Sequence, residues 1–223
     1  MGNKAVTAFK EAEVERDESI DAKVSANPSF ISTKAMTLTG RSGKEWGSVE
    51  YMDTSNGDEV LFKSTYKTTS LGKQDVFFAD GKTGDNFLTA KCSQNITKSN
   101  TIDVYRSTPA YEGQVAIEGG NFLFAEIIIA SGITESKSSC KIIQGADIKT
   151  EMYWTEKVNA FKFFSTLRTK SKLIGKVYEG PFASNTMFVE VAEGVDMVLA
   201  AIMGTSVQAG GSSAGALAGA GVT

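Results

Sequence analysis

The stretch Met197 to Met203 is apolar throughout, and it follows directly on Glu193-Gly194-Val195-Asp196. A helix that is apolar on every side has no face to offer water, so other elements must enclose it. A helix over about residues 195–207 is roughly 20 Å long at about 1.5 Å per residue, too short for a hydrocarbon core of roughly 30 Å. No transmembrane span is expected. Asp196 falls in the first turn, where its carboxylate meets free backbone N–H groups and the positive end of the helix dipole. Leu199, Ile202 and Met203 are expected to fill the interior.

The enclosure is read from the residues before this helix. From about Phe30 onward, apolar residues recur with period two, the spacing that sends alternate side chains to opposite faces of a strand. Val49 and Tyr51 alternate with Ser48 and Glu50, and Val60, Phe62 and Tyr66 alternate with Glu59, Lys63 and Thr65. Ile102 and Val104, Val115 and Ile117, and Met152 and Trp154 repeat the pattern. Asn56-Gly57 and Asp80-Gly81 lie between such runs and suit the positive φ angles of tight turns. Phe122 to Ala130 is apolar except for Glu126, as in a strand covered on both faces. Its trio Ile127, Ile128 and Ile129 favours strand over buried helix. An antiparallel meander of about a dozen strands follows.

At 223 residues the chain suits one sizeable core. Residues 1–29 read as a mobile charged arm with a thin stripe of Val6, Phe9 and Ala12, and 208–223 as a flexible Gly/Ala/Ser tail. Met1-Gly2-Asn3-Lys4 approximates an acylation signal but has Val6 where Ser or Thr belongs. A net charge of -3 argues against a whole-molecule grip on nucleic acid. Two cysteines and no secretory pattern point to a cytoplasmic setting, and Asn95-Ile96-Thr97 reads as an ordinary polar loop. Histidine is absent, which removes the commonest general base and nitrogen ligand. With no paired carboxylates, phosphate loop or Cys-x-x-Cys spacing, no enzyme, metal or cofactor is expected.

The segment Phe188 to Met203, with Val60-Leu61-Phe62-Lys63, Asp75 to Gly81 and Ile102-Asp103-Val104-Tyr105 in order before it, resembles the LURP-one-related family. That family is grouped with Tubby C-terminal domains and phospholipid scramblases. The resemblance spans about Phe30 to Val207 and implies a mainly β fold: a closed antiparallel barrel of about 12 strands around a central hydrophobic C-terminal helix. The chain departs from the family pattern at Glu193, where proline is common, and in its Gly/Ala-rich tail. Acidic calcium segments and cysteine clusters like those of scramblases are not evident, so scrambling is not carried over.

Between Lys157 and Tyr178 stand six cations and no acid. Period two sets Phe161, Phe163 and Leu167 of an expected strand Val158–Arg168 against Lys162 and Arg168, and Leu173 and Val177 of the next against Lys176. Lys170 and Lys172 fall at the turn between them. The hairpin then has an apolar inner and a basic outer face, which is either a solvated barrel exterior or an anionic-lipid site. The resemblance implies the second, since Tubby domains bind phosphoinositide headgroups through exterior lysines and arginines. The function expected is therefore a non-enzymatic binding module for an anionic membrane surface, cytoplasmic and peripheral. The alternative is a structural or assembly subunit docking protein partners through its acidic arm and uncharged tail. Tyr153, Trp154, Phe161 and Phe164 read as packing rather than as a small-molecule pocket.

Overall fold

The computed structural model describes all residues except 1, 21–24, 46, 58, 71–72, 94–99, 118, 132–135, 159–163, 181–185 and 209–223, and leaves out the side chains of 2–3, 131, 136 and 206–208. Helix α1 (Gly2–Glu11) comes first. Strands β1 (Met36–Ser42), β2 (Ser48–Asp53), β3 (Val60–Ser70), β4 (Lys73–Asp80), β5 (Asn86–Ser93) and β6 (Asn100–Arg106) follow. Then come β7 (Phe122–Ser131), β8 (Ser136–Ile143), β9 (Lys149–Lys157), β10 (Phe164–Arg168), β11 (Leu173–Glu179) and β12 (Thr186–Val191). Helix α2 (Met197–Gln208) ends the described chain.

Each strand pairs antiparallel with its neighbours in sequence, and β1 closes the ring on β12 through Leu38 opposite Val189. Closure removes the exposed edges that an open twelve-strand sheet would carry. Period two places Phe62, Phe78, Ile102, Ile127 and Val189 inside, all buried. α2 lies in this interior against β7 to β12, with Val198 to Met203 buried on every side. The opposite wall is met by aromatic rings. Phe30 lies 5.4 Å from Phe62 and stacks at 4.7 Å on Phe87, while Tyr51 stacks on Phe62 at 4.5 Å.

Phe30 belongs to a strap, residues 25–32, that crosses one end of the barrel. There the backbone N–H of Ser32 donates to Val195 O at 3.0 Å, and that of Gly194 donates to Ser32 O at 2.8 Å. Arg106, at the end of β6, holds the same strap by donating to Ser25 O at 2.6 Å, and its guanidinium stacks 4.7 Å above the Phe124 ring. This strap end is also where β10 ends and α2 begins.

Several expectations are corrected. Val115 and Ile117 lie in the loop 107–121, not in a strand, because no neighbour pairs with so short an alternation. The strand expected from Val158 begins at Phe164, whose carbonyl accepts from Val158 N at 2.8 Å; Phe161, Lys162 and Phe163 lie outside the described residues. β7 is not covered on both faces, since Leu123 and Ile128 remain partly exposed. Gly57 has the positive φ its turn requires (81°), whereas in the β4–β5 loop Gly84 takes that role at 77°.

Gly81 is needed for closeness instead: a Cβ there would lie 1.9 Å from the Val60 carbonyl oxygen, and its N–H donates to Leu61 O at 2.9 Å. Both obstacles are backbone, which cannot rotate away. Gly81→Ala is expected to destabilise the barrel by about 1–3 kcal/mol, read as a lower urea midpoint. Gly84→Ala, strained in φ but in open space, should cost less.

Candidate functional site

The β10–β11 hairpin carries the cations Arg168, Lys170, Lys172 and Lys176. Its turn is closed by Thr169, whose N–H donates to Lys172 O at 3.0 Å and whose hydroxyl accepts from Lys172 N at 3.2 Å. A bulge lies between Leu167 and Arg168, with Arg168 opposite Leu173 on one side and Trp154 on the other. Leu167 points inward and is buried, while Arg168 and Lys170 are exposed at the strap end. Among the described residues neither cation has an acid within ion-pair distance.

The other cations are placed differently. Lys176 does lie on the outer face, but it is only 5% exposed. Its ammonium pairs with Glu190 at 3.0 Å, donates to Ala12 O at 2.7 Å and sits 5.7 Å above the Phe9 ring. It is not open to a membrane. Lys172 is half-exposed and reaches Glu15 at 3.5 Å. Lys162 lies outside the described residues.

The N-terminal segment explains these differences. Expected to be a mobile arm, it is instead laid along the outer face of β10 and β11. Phe9, buried, makes edge contacts with Phe164 at 5.2 Å and Tyr178 at 6.0 Å. Glu15 N donates to Leu173 O at 2.8 Å. Asp17 accepts from the hydroxyls of Thr169, Ser171 and Ser19. Those hydrogen bonds, the one from Thr169 foremost, hold its carboxyl down at about 2. The Val6-Phe9-Ala12 stripe was the signal in the sequence, since a helix side that buries Phe9 needs a surface to cover.

Leu199, Ile202 and Met203 are buried in α2. Asp196 Oδ1 accepts from Val198 N at 2.9 Å and Leu199 N at 3.0 Å, and Oδ2 accepts from Ala26 N of the strap at 2.6 Å. Burial pushes its carboxyl up to about 6, against the pull of these hydrogen bonds and of Arg106. Cys92 and Cys140 are buried thiols, and burial pushes Cys92 up to about 12, far from the thiolate that nucleophilic or ligating chemistry uses. Tyr153 faces the interior whereas Trp154 faces out, so the two cannot line one pocket.

Among the described residues no three His, Cys, Asp or Glu side chains are grouped to hold a metal ion. A cleft of about 390 Å³ lies at the edge of β1 and β2, lined by Lys34, Met36 and Asp53 with their neighbours. Three large aliphatic side chains, Val115, Ile117 and Ile148, stand exposed on loops at the strap end. No described helix is long and apolar enough to cross a membrane. Comparison with protein-family models, curated proteins and solved structures finds no match.

Proposed function

We propose that the protein is a non-enzymatic binding module that docks reversibly on an anionic membrane surface through the strap end of its barrel. The observation that carries this reading is the position of Arg168 and Lys170, exposed together at the β10–β11 turn and free of ion pairs among the described residues. A second consideration is negative space: the barrel interior is occupied by α2 and the rings around Phe30, so a ligand is met from outside. Membership of the LURP-one-related family is part of the same proposal, supported by the closed twelve-strand barrel around an apolar C-terminal helix that the resemblance implies.

Basic side chains near an anionic leaflet contribute about 1 kcal/mol each, and screening by salt weakens them. Arg168→Glu combined with Lys170→Glu is therefore expected to reduce co-sedimentation with phosphatidylserine- or phosphoinositide-containing vesicles by more than about tenfold at low ionic strength. The wild-type protein should itself bind less at high ionic strength. Unchanged binding of the double variant would remove the hairpin from the site. The alternative is an assembly subunit, whose acidic arm would dock as a fixed surface, since Phe9 and Asp17 of the arm contact the chain's own barrel while Glu11, Glu13 and Glu18 stay exposed. Stoichiometric co-purification with another protein would favour it.

A further inference from the structure

Among the described residues, the large hydrophobic side chains left exposed are Val115 (84%), Ile117 (37%) and Ile148 (58%). They are not scattered. Val115 and Ile117 lie on the loop between β6 and β7, and Ile148 lies on the loop between β8 and β9. β7 and β8 are paired, with Ala125 opposite Ile142, so both loops leave the barrel from neighbouring strands at the strap end. Going on around the rim, the next turn is that of β10 and β11, which carries Arg168 and Lys170.

These loops are built to present their side chains rather than to bury them. Gln144 N donates to Ile148 O at 2.9 Å, closing the β8–β9 turn. Ile117 N donates to Asn121 O at 2.8 Å and Gly120 N to Ile117 O at 3.1 Å, with Gly119 and Gly120 at φ of 85° and 76°. Gln114 ties the same loop down by donating to Leu123 O at 2.8 Å and accepting from Ala110 N at 2.6 Å. Aliphatic groups held out at one end of the barrel on turns fixed in this way are available to a contact surface.

We propose that Val115, Ile117 and Ile148 are shallow membrane-inserting tips whose occupant is the hydrocarbon just beneath the headgroups of an anionic bilayer. This rests on the membrane reading above and adds an apolar component to it. The charge pattern fits this occupant. β9 begins at Lys149, well before Trp154, the partner of Arg168, so the β8–β9 tip projects beyond the β10–β11 turn and the cations stand back toward the headgroups. The exposed acids Glu112 and Asp147 on the same loops limit the depth, because a carboxylate does not follow an aliphatic group into hydrocarbon.

The test uses the full chain with vesicles of equal parts phosphatidylcholine and phosphatidylserine at low and high ionic strength. Val115→Asp with Ile148→Asp is expected to weaken binding about tenfold or more at both ionic strengths; repulsion of the added carboxylates by the anionic surface is screened by salt, so the weakening that persists at high ionic strength reads the lost apolar burial. Arg168→Glu with Lys170→Glu should act mainly at low ionic strength. Val115→Cys labelled with a polarity-sensitive fluorophore gives a second readout, because Cys92 and Cys140 are buried; its emission should shift to the blue on vesicle binding. Wild-type binding that the aspartate pair leaves intact, or a label that stays in water when bound, overturns insertion while the anionic-surface reading stands. Absence of wild-type binding overturns both. Dispersal of a self-associated form by the aspartate pair, with vesicle binding unchanged, would assign the tips to a protein contact and also overturn the proposal.

Discussion

Leu199→Asp is expected to yield a chain without a cooperative unfolding transition, and Leu199→Ala a folded barrel weakened by about 2–5 kcal/mol. Leu199 is buried in the middle of α2, and its neighbours Val198, Ala200, Ala201 and Ile202 are buried too. A carboxyl in such a site has no partner and is either buried charged or held protonated, and with the lost packing either cost offsets much of the roughly 5–15 kcal/mol that holds an ordinary domain together. The alanine variant instead leaves a void whose cost depends on how far the wall can collapse. β7 to β12, against which α2 lies, are held in a closed ladder, so collapse is limited and a value in the upper part of that range follows. Urea unfolding followed by circular dichroism measures both variants. A normal transition for Leu199→Asp would mean that α2 is not sealed inside the barrel.

The enclosed helix was legible because uninterrupted apolarity from Met197 to Met203 has only one kind of solution in water. The inward set that includes Phe62 and Ile102 was legible for a similar reason, since period two separates two faces whatever the strand's partners. The strap was not. Ala26 and Asp196 are 170 positions apart, and the bond between them is made by a backbone N–H, which leaves no trace in side-chain pattern. Lys176 shows a subtler limit. Alternation assigned it correctly to the outer face, but alternation cannot tell that the chain's own arm covers that face over Phe9 and Ala12. Val115 and Ile117 failed in the reverse direction: two alternating residues mimic a strand when no partner is considered, and their exposure became informative only once the barrel was closed without them.

Asp196→Asn is expected both to weaken the barrel and to flatten its pH dependence between about pH 4 and pH 6. The wild-type carboxyl is raised from an ordinary value of about 4 in the unfolded chain to about 6 by burial. The folded state therefore holds this proton more tightly than the unfolded state. The contribution is fully present below about pH 4 and is lost as pH rises through about 6, on the order of 3 kcal/mol in all. Arg106 offsets part of that loss by its charge, while Cys140 and Tyr153, which face the same region, stay neutral there because burial raises them further. Asp17 works in the opposite direction: held at about 2, it stabilises above about pH 4 and loses its effect as pH falls through 2. Asparagine keeps the oxygen that caps Val198 and Leu199 but turns an N–H group toward Ala26 N, donor against donor, at about 1–3 kcal/mol. Unfolding free energies from urea titrations at about pH 4, 5 and 7 separate the two effects. If the asparagine variant keeps the wild-type slope over this range, the titrating group lies elsewhere and Asp196 is not the buried charge that ties the strap to the helix.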